Sequence, residues 1–258
     1  MMEKDLIMKI MENGKRIDQR GFKEIRNVEI ENNPISSAEG SAMVKVGNTK
    51  VLAGVKMEVG EPYPDTPDEG VLVVNVEFLP LALEEFEPGP PDENAIEVAR
   101  VVDRIIRESN CIEVEKLKIN ENLVWCIFID IDVLDQDGNL IDTAALAAIK
   151  ALMNTKIPKV DENGNINRDE KGAALPLRYI PCPITLAKIG KFIVVDPCLV
   201  EENVLDARVT FGMLENKGIK FCAMQKGGDS GIKVEEFYKM LDLAESLFPK
   251  IKEILKKS

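Results

Sequence analysis

Apolar residues recur along the chain in two rhythms, and each rhythm predicts an element. Between Leu123 and Leu134, the residues Ile127, Ile129, Ile131 and Val133 fall at every second position. That spacing puts them on one face of a strand, with Asp130 and Asp132 on the other. From about Glu93 to Ser109 the spacing lengthens: Ile96, Val98, Ala99, Val101, Val102, Ile105 and Ile106 make the broad apolar face of a helix. The preceding Pro88-Gly89-Pro90-Pro91 stops any strand, and Asp92 stands where a helix N-cap belongs. Helical spacing returns in Phe237, Met240, Leu241, Ala244, Leu247, Phe248 and Ile251, an amphipathic helix that Pro249 is expected to kink or restart.

Shorter β-rich runs fill the intervals: Val28 to Ile30, Ala42 to Val46, Val51 to Lys56 and Val71 to Phe78. Gly47-Asn48 between two of them predicts a hairpin. Asp135 to Asn139 reads as a turn, and Asp142 to Ala148 as a central helix whose small residues allow close packing on a sheet. The polar stretch Asp161 to Gly172, with its Asn163-Gly164 turn, reads as a surface loop or hairpin dividing two halves. Strands then return at Ile184 to Lys188, Phe192 to Val195, Ala207 to Phe211 and Lys220 to Gln225. This order predicts an α+β fold: an N-terminal helix over residues 1–15, then one domain over 16–258 with similar halves at about 16–160 and 173–258. No internal repeat is strong enough to establish duplication.

A chain of 258 residues, 45% of them hydrophobic, can bury a full core. No uninterrupted apolar run reaches the ~18 residues of a membrane span, and charges interrupt the opening MMEKDLIMKIMENGKR, so a cytoplasmic chain without membrane contact is expected. There is no histidine, and the five cysteines form no Cys-x-x-Cys pair. Zinc-finger ligation and histidine-dependent catalysis are excluded, and no metal or cofactor is expected. A net charge of −12 repels a polyanion over most of the surface. Any RNA contact therefore needs a local basic patch or a basic partner.

Several motifs invite sharper readings that spacing does not support. Aligning Gly138 with the glycine of a calcium loop puts Val133 and Ala144 at the positions that require carboxylates. Glu84, Glu85 and Glu87 read as a solvated face, and Gln225 to Gly231 reads as a turn, since it lacks phosphate-loop spacing. Arg100, Arg104 and Arg107 form one basic stripe on the predicted helix. The competing reading pairs Glu97 with Arg100, Asp103 with Arg107 and Arg104 with Glu108, and spacing alone favours that pairing.

Gly40-Ser41-Ala42-Met43-Val44-Lys45-Val46-Gly47-Asn48-Thr49-Lys50-Val51-Leu52-Ala53-Gly54-Val55 resembles the opening hairpin of the RNase PH family. Arg16-Ile17-Asp18-Gln19-Arg20 resembles that family's Arg-x-Asp-Gly-Arg, with Gln19 in place of glycine. Phe86 to Asn94, followed by Ala99-Arg100-Val101-Val102-Asp103-Arg104, resembles more narrowly the non-catalytic RNase PH-like ring subunit of the archaeal exosome. The likeness runs from about Arg16 to the last helix.

The resemblance implies a ribosomal protein S5 domain 2-like α+β fold and phosphorolytic removal of nucleotides from RNA 3′ ends. It further implies a hexameric ring in which three such chains alternate with three catalytic RNase PH-like subunits, joined by RNA-binding cap proteins. Active members carry two arginines where this chain reads Pro91-Asp92-Glu93-Asn94. They hold phosphate in a Gly-Ser/Thr-Arg turn where this chain has Gly138-Asn139-Leu140-Ile141-Asp142-Thr143, longer and acidic. At about 5 Å and an effective dielectric of about 20, each unit of charge changed is worth roughly 3 kcal/mol against a monoanion. Asp206 resembles the family's catalytic aspartate in position, but without a phosphate pocket it is assigned no catalytic role; pairing with Arg208 or holding a turn is the structural alternative.

The expectation is therefore a non-enzymatic subunit that structures the ring and the partner's active site. Arg100 and Arg104 are expected on RNA phosphates, with Arg107, a turn further along, the more remote candidate. Two rivals stand beside it: a subunit that degrades RNA alone through Asp206, and an assembly scaffold with no RNA contact.

Overall fold

The computed structural model describes residues 2–161 and 164–257. Helix α1 (Met2–Glu12) precedes a five-stranded sheet made of β1 (Val28–Asn32), β2 (Gly40–Val46), β3 (Thr49–Gly60), β4 (Val71–Phe78) and β5 (Val124–Asp135). The spatial order is β1-β2-β3-β5-β4, with β4 parallel to β5 and the other pairs antiparallel. A parallel neighbour needs a crossover, and α2 (Glu93–Glu108) supplies it between β4 and β5. The period-two residues of β5 are matched across the ladder: Ile127, Ile129, Ile131 and Val133 lie opposite Met57, Val55, Ala53 and Val51. All eight are essentially inaccessible to solvent.

Helix α3 (Leu140–Asn154) lies at the centre, with every residue from Leu140 to Leu152 buried. It starts earlier and runs longer than the Asp142–Ala148 segment predicted from small residues, because flanking leucines and isoleucines pack on both sides. Its alanines allow close approach to β2 and β3 on one side and to the second sheet on the other. Gly40 shows how close: a side chain there would sit 2.4 Å from the Thr155 Oγ1. The polar stretch after α3 is a hairpin of β6 (Lys156–Val160) and β7 (Ile166–Ala174). Asn163 of its turn lies outside the described residues.

The second sheet contains β8 (Cys182–Ile189), β9 (Phe192–Val195), β10 (Ala207–Glu215) and β11 (Ile219–Gly227) in the order β11-β10-β8-β9, all antiparallel. A single turn of helix, α4 (Leu199–Glu202), connects β9 to β10. Helix α5 (Val234–Lys257) packs on β8 and β10 through Met240, Ala244, Phe248, Ile251 and Leu255. It runs through Pro249 without the expected restart. Ile7 and Met11 of α1 are buried against Ala187, Ile189 and Val194 of this sheet. No helix among the described residues is long and apolar enough to cross a membrane.

Candidate nucleic-acid interface

Helix α2 begins as its sequence requires: the Asp92 side chain accepts a hydrogen bond from the Ala95 amide at 2.7 Å. Its buried face is Ala95, Val98, Val101, Val102, Ile105 and Ile106. Ile96, expected on that face, is 49% exposed. At about 100° per residue it falls on the opposite side of the helix from Val98 and Ile105.

Two of the three expected ion pairs form along the outer face: Arg104 with Glu108 at 2.8 Å and Arg107 with Asp103 at 2.7 Å. The third does not. Glu97 is drawn off the helix by the second sheet, where Arg208 reaches it at 2.6 Å and the Gln225 amide donates to it at 3.0 Å. Arg100 is left without an ion pair or side-chain hydrogen bond among the described residues. Arg100 and Arg104 together line a cleft of about 370 Å³ with Glu108, Thr210, Cys222 and Gln225. Arg107 stands apart from it, tied to Asp103 and donating to the Leu72 carbonyl at 3.1 Å.

The turn before α3 is the other place singled out by sequence. Gly138 takes φ +83° there, and any side chain on it would meet the Leu199 amide nitrogen at 2.5 Å. The Asn139 amide donates to a carboxylate oxygen of Glu202 at 2.9 Å. The Asn139 side chain bonds Asp142 at 3.0 Å and Asp196 at 2.8 Å. Asp142 is turned inward, accepting from the Thr185 amide at 2.8 Å and hydroxyl at 2.7 Å. Burial pushes its carboxyl up to about 6, against the pull of those bonds. Burial likewise pushes Glu202 up to about 7. At Asp196 burial works in the same direction but is outweighed, and the Arg26 guanidinium holds that carboxyl below its ordinary range.

Arginines close the cluster from the N-terminal segment. Arg26 grips Asp196 at 2.7 Å and donates to the Asp137 and Gly138 carbonyls. Arg20 adds a second contact to Asp196 at 2.9 Å. Arg16, fully buried, meets the equally buried Glu201 with two nitrogens and donates to the Val195 and Asp196 carbonyls at 2.7 and 2.8 Å. Gln19 holds φ +69°, so the backbone keeps the left-handed conformation that suits the glycine of the motif it resembles.

Asp206 takes a third course. Its carboxylate accepts from Lys4 of α1 at 2.5 Å and from the Gly190 amide at 2.6 Å. Burial raises its pKa, but the Lys4 and Gly190 bonds outweigh it and hold the group below the ordinary range. Pairing with Arg208 does not occur, because Arg208 is engaged by Glu97. Leu205 and Arg208 line the cleft of about 340 Å³ in front of Asn139 and Glu202, and Asp206 does not.

Sequence reading missed Glu202, Asp196 and the anchoring roles of Arg16 and Arg26. The motif around Arg16 and Arg20 was visible, but its partners lie about 180 residues away. Exposed Glu85 and Glu87 line an acidic cleft of about 680 Å³ with Glu77, Asp92, Asp130 and Asp132. Among the described residues, no group of three or more His, Cys, Asp or Glu is arranged to hold a metal ion.

Residues 24–158 match the 3′ exoribonuclease family (RNase PH), domain 1, and residues 179–246 match domain 2 of that family. The chain belongs to the RNase PH family of 3′ exoribonucleases. It is 50% identical over 256 residues to the exosome complex component Rrp42 of Thermococcus gammatolerans, covering 98% of this chain and 93% of that one. A chain of the Archaeoglobus fulgidus exosome, solved with RNA bound to the active site, superposes with TM-score 0.90 at 47% identity, covering 98% of this chain and 97% of that one. A chain of an archaeal exosome core superposes with TM-score 0.87 at 44% identity, covering 99% and 96%.

Proposed function

We propose that this chain is a non-catalytic ring subunit of an archaeal-type exosome. In this reading three copies alternate with three copies of a catalytic RNase PH-like partner, below RNA-binding cap proteins, and the complex degrades RNA from its 3′ end with inorganic phosphate. One observation carries it: the amide of Asn139, in the turn corresponding to the phosphate-holding turn of active members, already holds the Glu202 carboxylate. With that amide already taken and the ionised Asp196 close by, a phosphate finds there neither a free backbone donor nor electrostatic room. The cleft's arginine, Arg208, is paired with Glu97. Asp206 serves as an anchor for Lys4 and Gly190.

The RNA contact lies on α2. Among the described residues Arg100 has no competing partner, and the Arg104 side chain is 57% exposed with its pair to Glu108 worth only about 0–1 kcal/mol. Guanidinium forks suit phosphate oxygens, so these two are free to exchange a local carboxylate for a polyanion. Arg107 is more firmly occupied and contributes less.

The test compares the purified chain with its complex with a catalytic homologue. The chain alone is expected to release no nucleoside diphosphate from RNA with phosphate, and the complex is expected to be active. Replacing Arg100 and Arg104 by Glu should leave the complex intact, weaken RNA binding across sequences, and flatten the salt dependence by roughly 0.7 unit per lost contact on single-stranded RNA. Phosphorolysis by the isolated chain, abolished by Asp206→Asn, overturns the non-catalytic reading. Unchanged affinity and salt slope in the double variant overturn the RNA assignment.

A further inference from the structure

Buried polar side-chain atoms in this chain find partners with few exceptions, and the exceptions gather in one place. Among the described residues, four such atoms make no hydrogen bond: Glu113 Oε2, Gln136 Oε1, Asn139 Oδ1 and Arg208 Nη1. Glu113 Oε2 is in an ion pair with Lys116. The other three all belong to residues lining the cleft of about 340 Å³ beside Glu202. A polar group held away from water without a partner is costly, so three beside one opening call for partners.

The wall is fixed from behind. Asn139 is 3% exposed and its Nδ2 donates to both Asp142 and Asp196, which locks Oδ1 on the other branch of the amide. Arg208 gives Nη2 to Glu97 at 2.6 Å and leaves Nη1 unused. Glu202 gives one carboxylate oxygen to the Asn139 amide, and among the described residues nothing donates to the other. Phe78 and Phe86, stacked with ring centroids 4.6 Å apart, add a flat apolar wall.

These features choose the occupant. Carboxylates and a guanidinium line the same opening, so it favours neither an anion nor a simple cation. A neutral molecule fits if it carries adjacent donors for Gln136, Asn139 and Glu202, adjacent acceptors for Arg208, and a flat face for Phe86. Guanine has that layout: N1–H and the N2 amine lie side by side, O6 and N7 lie side by side, and guanidinium groups pair with the latter two. Adenine, cytosine and uracil each offer a single donor group on the pairing edge. The cleft is at the small end of the roughly 300–1,000 Å³ range of ligand pockets, which suits a base rather than a larger cofactor.

We infer that this cleft is a guanine-binding pocket, in which Gln136, Asn139 and Glu202 accept from the pairing edge of the base, Arg208 donates to O6 and N7, and Phe86 covers one face. The inference goes beyond the proposed function, because the pocket needs neither phosphate chemistry nor a catalytic partner. The base comes from a free nucleoside or from an RNA strand. Glu97 of this cleft accepts from Gln225 of the Arg100–Arg104 cleft at 3.0 Å, so the two clefts adjoin and a strand held on the arginines can turn a base inward.

Calorimetric titration of the full chain with guanosine, inosine, adenosine and cytidine tests it. Guanosine is expected to bind at least about tenfold tighter than inosine, which lacks the N2 amine, and than adenosine or cytidine, since analogues that leave buried polar groups unpaired are rejected. Inorganic phosphate should not compete. Gln136→Leu should weaken guanosine binding about tenfold, whereas Gln136→Glu, which keeps an acceptor, should retain it, with melting curves checking the fold of both. The strand source is read in phosphate-free buffer on the complex with a catalytic homologue, comparing an all-adenine RNA with one carrying a single guanine. A guanine preference there that Gln136→Leu abolishes, without binding of free guanosine, assigns the pocket to a base of the strand. If neither nucleoside nor strand shows a guanine preference that depends on Gln136, or if phosphate displaces guanosine, the inference is overturned. The proposed function is judged separately, by the inactivity of the isolated chain and the activity of the complex.

Discussion

The turn before α3 and the outer face of α2 both gather arginines and carboxylates, yet they are built to opposite ends. At the turn, Arg16, Glu201, Asp142 and Asp196 are almost wholly removed from solvent, and each has partners drawn from distant segments. On α2, Arg104 and Arg107 are about half exposed and pair within their own helix, while Arg100 pairs with nothing described. Desolvated charges cannot be released without a large penalty, whereas exposed pairs exchange partners almost freely. At the turn the scaffold's own carboxylates, Glu202, Asp142 and Asp196, take up the Asn139 donors. The charge able to meet a polyanion has been left on α2.

The widest separation between the two regions is expected from Arg16→Met. Removing the guanidinium strands Glu201 in a dry site and should cost about 3–5 kcal/mol in urea unfolding. A loss below about 1 kcal/mol makes the buried cluster no different in kind from the α2 stripe.

Next in size is the pH response of the turn. Asp142 and Glu202 bind a proton more tightly folded, at about 6 and about 7, than unfolded near the ordinary 3.8 and 4.5. Their contribution to stability is full below about pH 4 and is lost as pH rises through 6 to 7. The melting temperature of the wild-type chain is therefore expected to fall between pH 5 and 8. Glu202→Gln keeps an acceptor for the Asn139 amide and removes the buried charge. It should flatten that fall and raise stability at pH 8 by on the order of 3 kcal/mol, each pKa unit being worth about 1.4 kcal/mol. A steeper fall in the variant makes Glu202 a net stabilising ion, held by Arg26 and Arg208.

The smallest effect is expected at Arg107→Ala, which breaks a half-exposed pair with Asp103 and should cost less than about 1 kcal/mol. A loss above 2 kcal/mol in thermal unfolding shows that its bond to the Leu72 carbonyl latches α2 to β4, and that the stripe is less uniform than its exposure indicates.

Much of the scaffold was legible in the residues alone. Alternation marked β5, the run from Asp92 marked α2 with its cap, and the Gly47-Asn48 turn joined β2 to β3, because these depend on neighbours within a few positions. The limits show at particular residues. Pro249 does not interrupt α5, since packing of Phe248 and Ile251 holds the helix across it. Glu97 abandons the helix partner its spacing favours, and Asp206 does not choose Arg208.

The sequence by itself determined the periodicity of the elements, the missing histidine, the acidic balance, and the acidic residues Asp92, Glu93 and Asp142 at the starts of two helices. Tertiary structure alone decided which carboxylate meets which arginine. Glu202 reaches Asn139 across 63 residues, Arg26 reaches Asp196 across 170, and Lys4 reaches Asp206 across 202. Ion pairs depend on distance and burial, and neither is encoded in spacing along a chain; once β9, α4 and the α3 turn are brought together, the charges that close one site and leave another open follow from who is dry and who is wet.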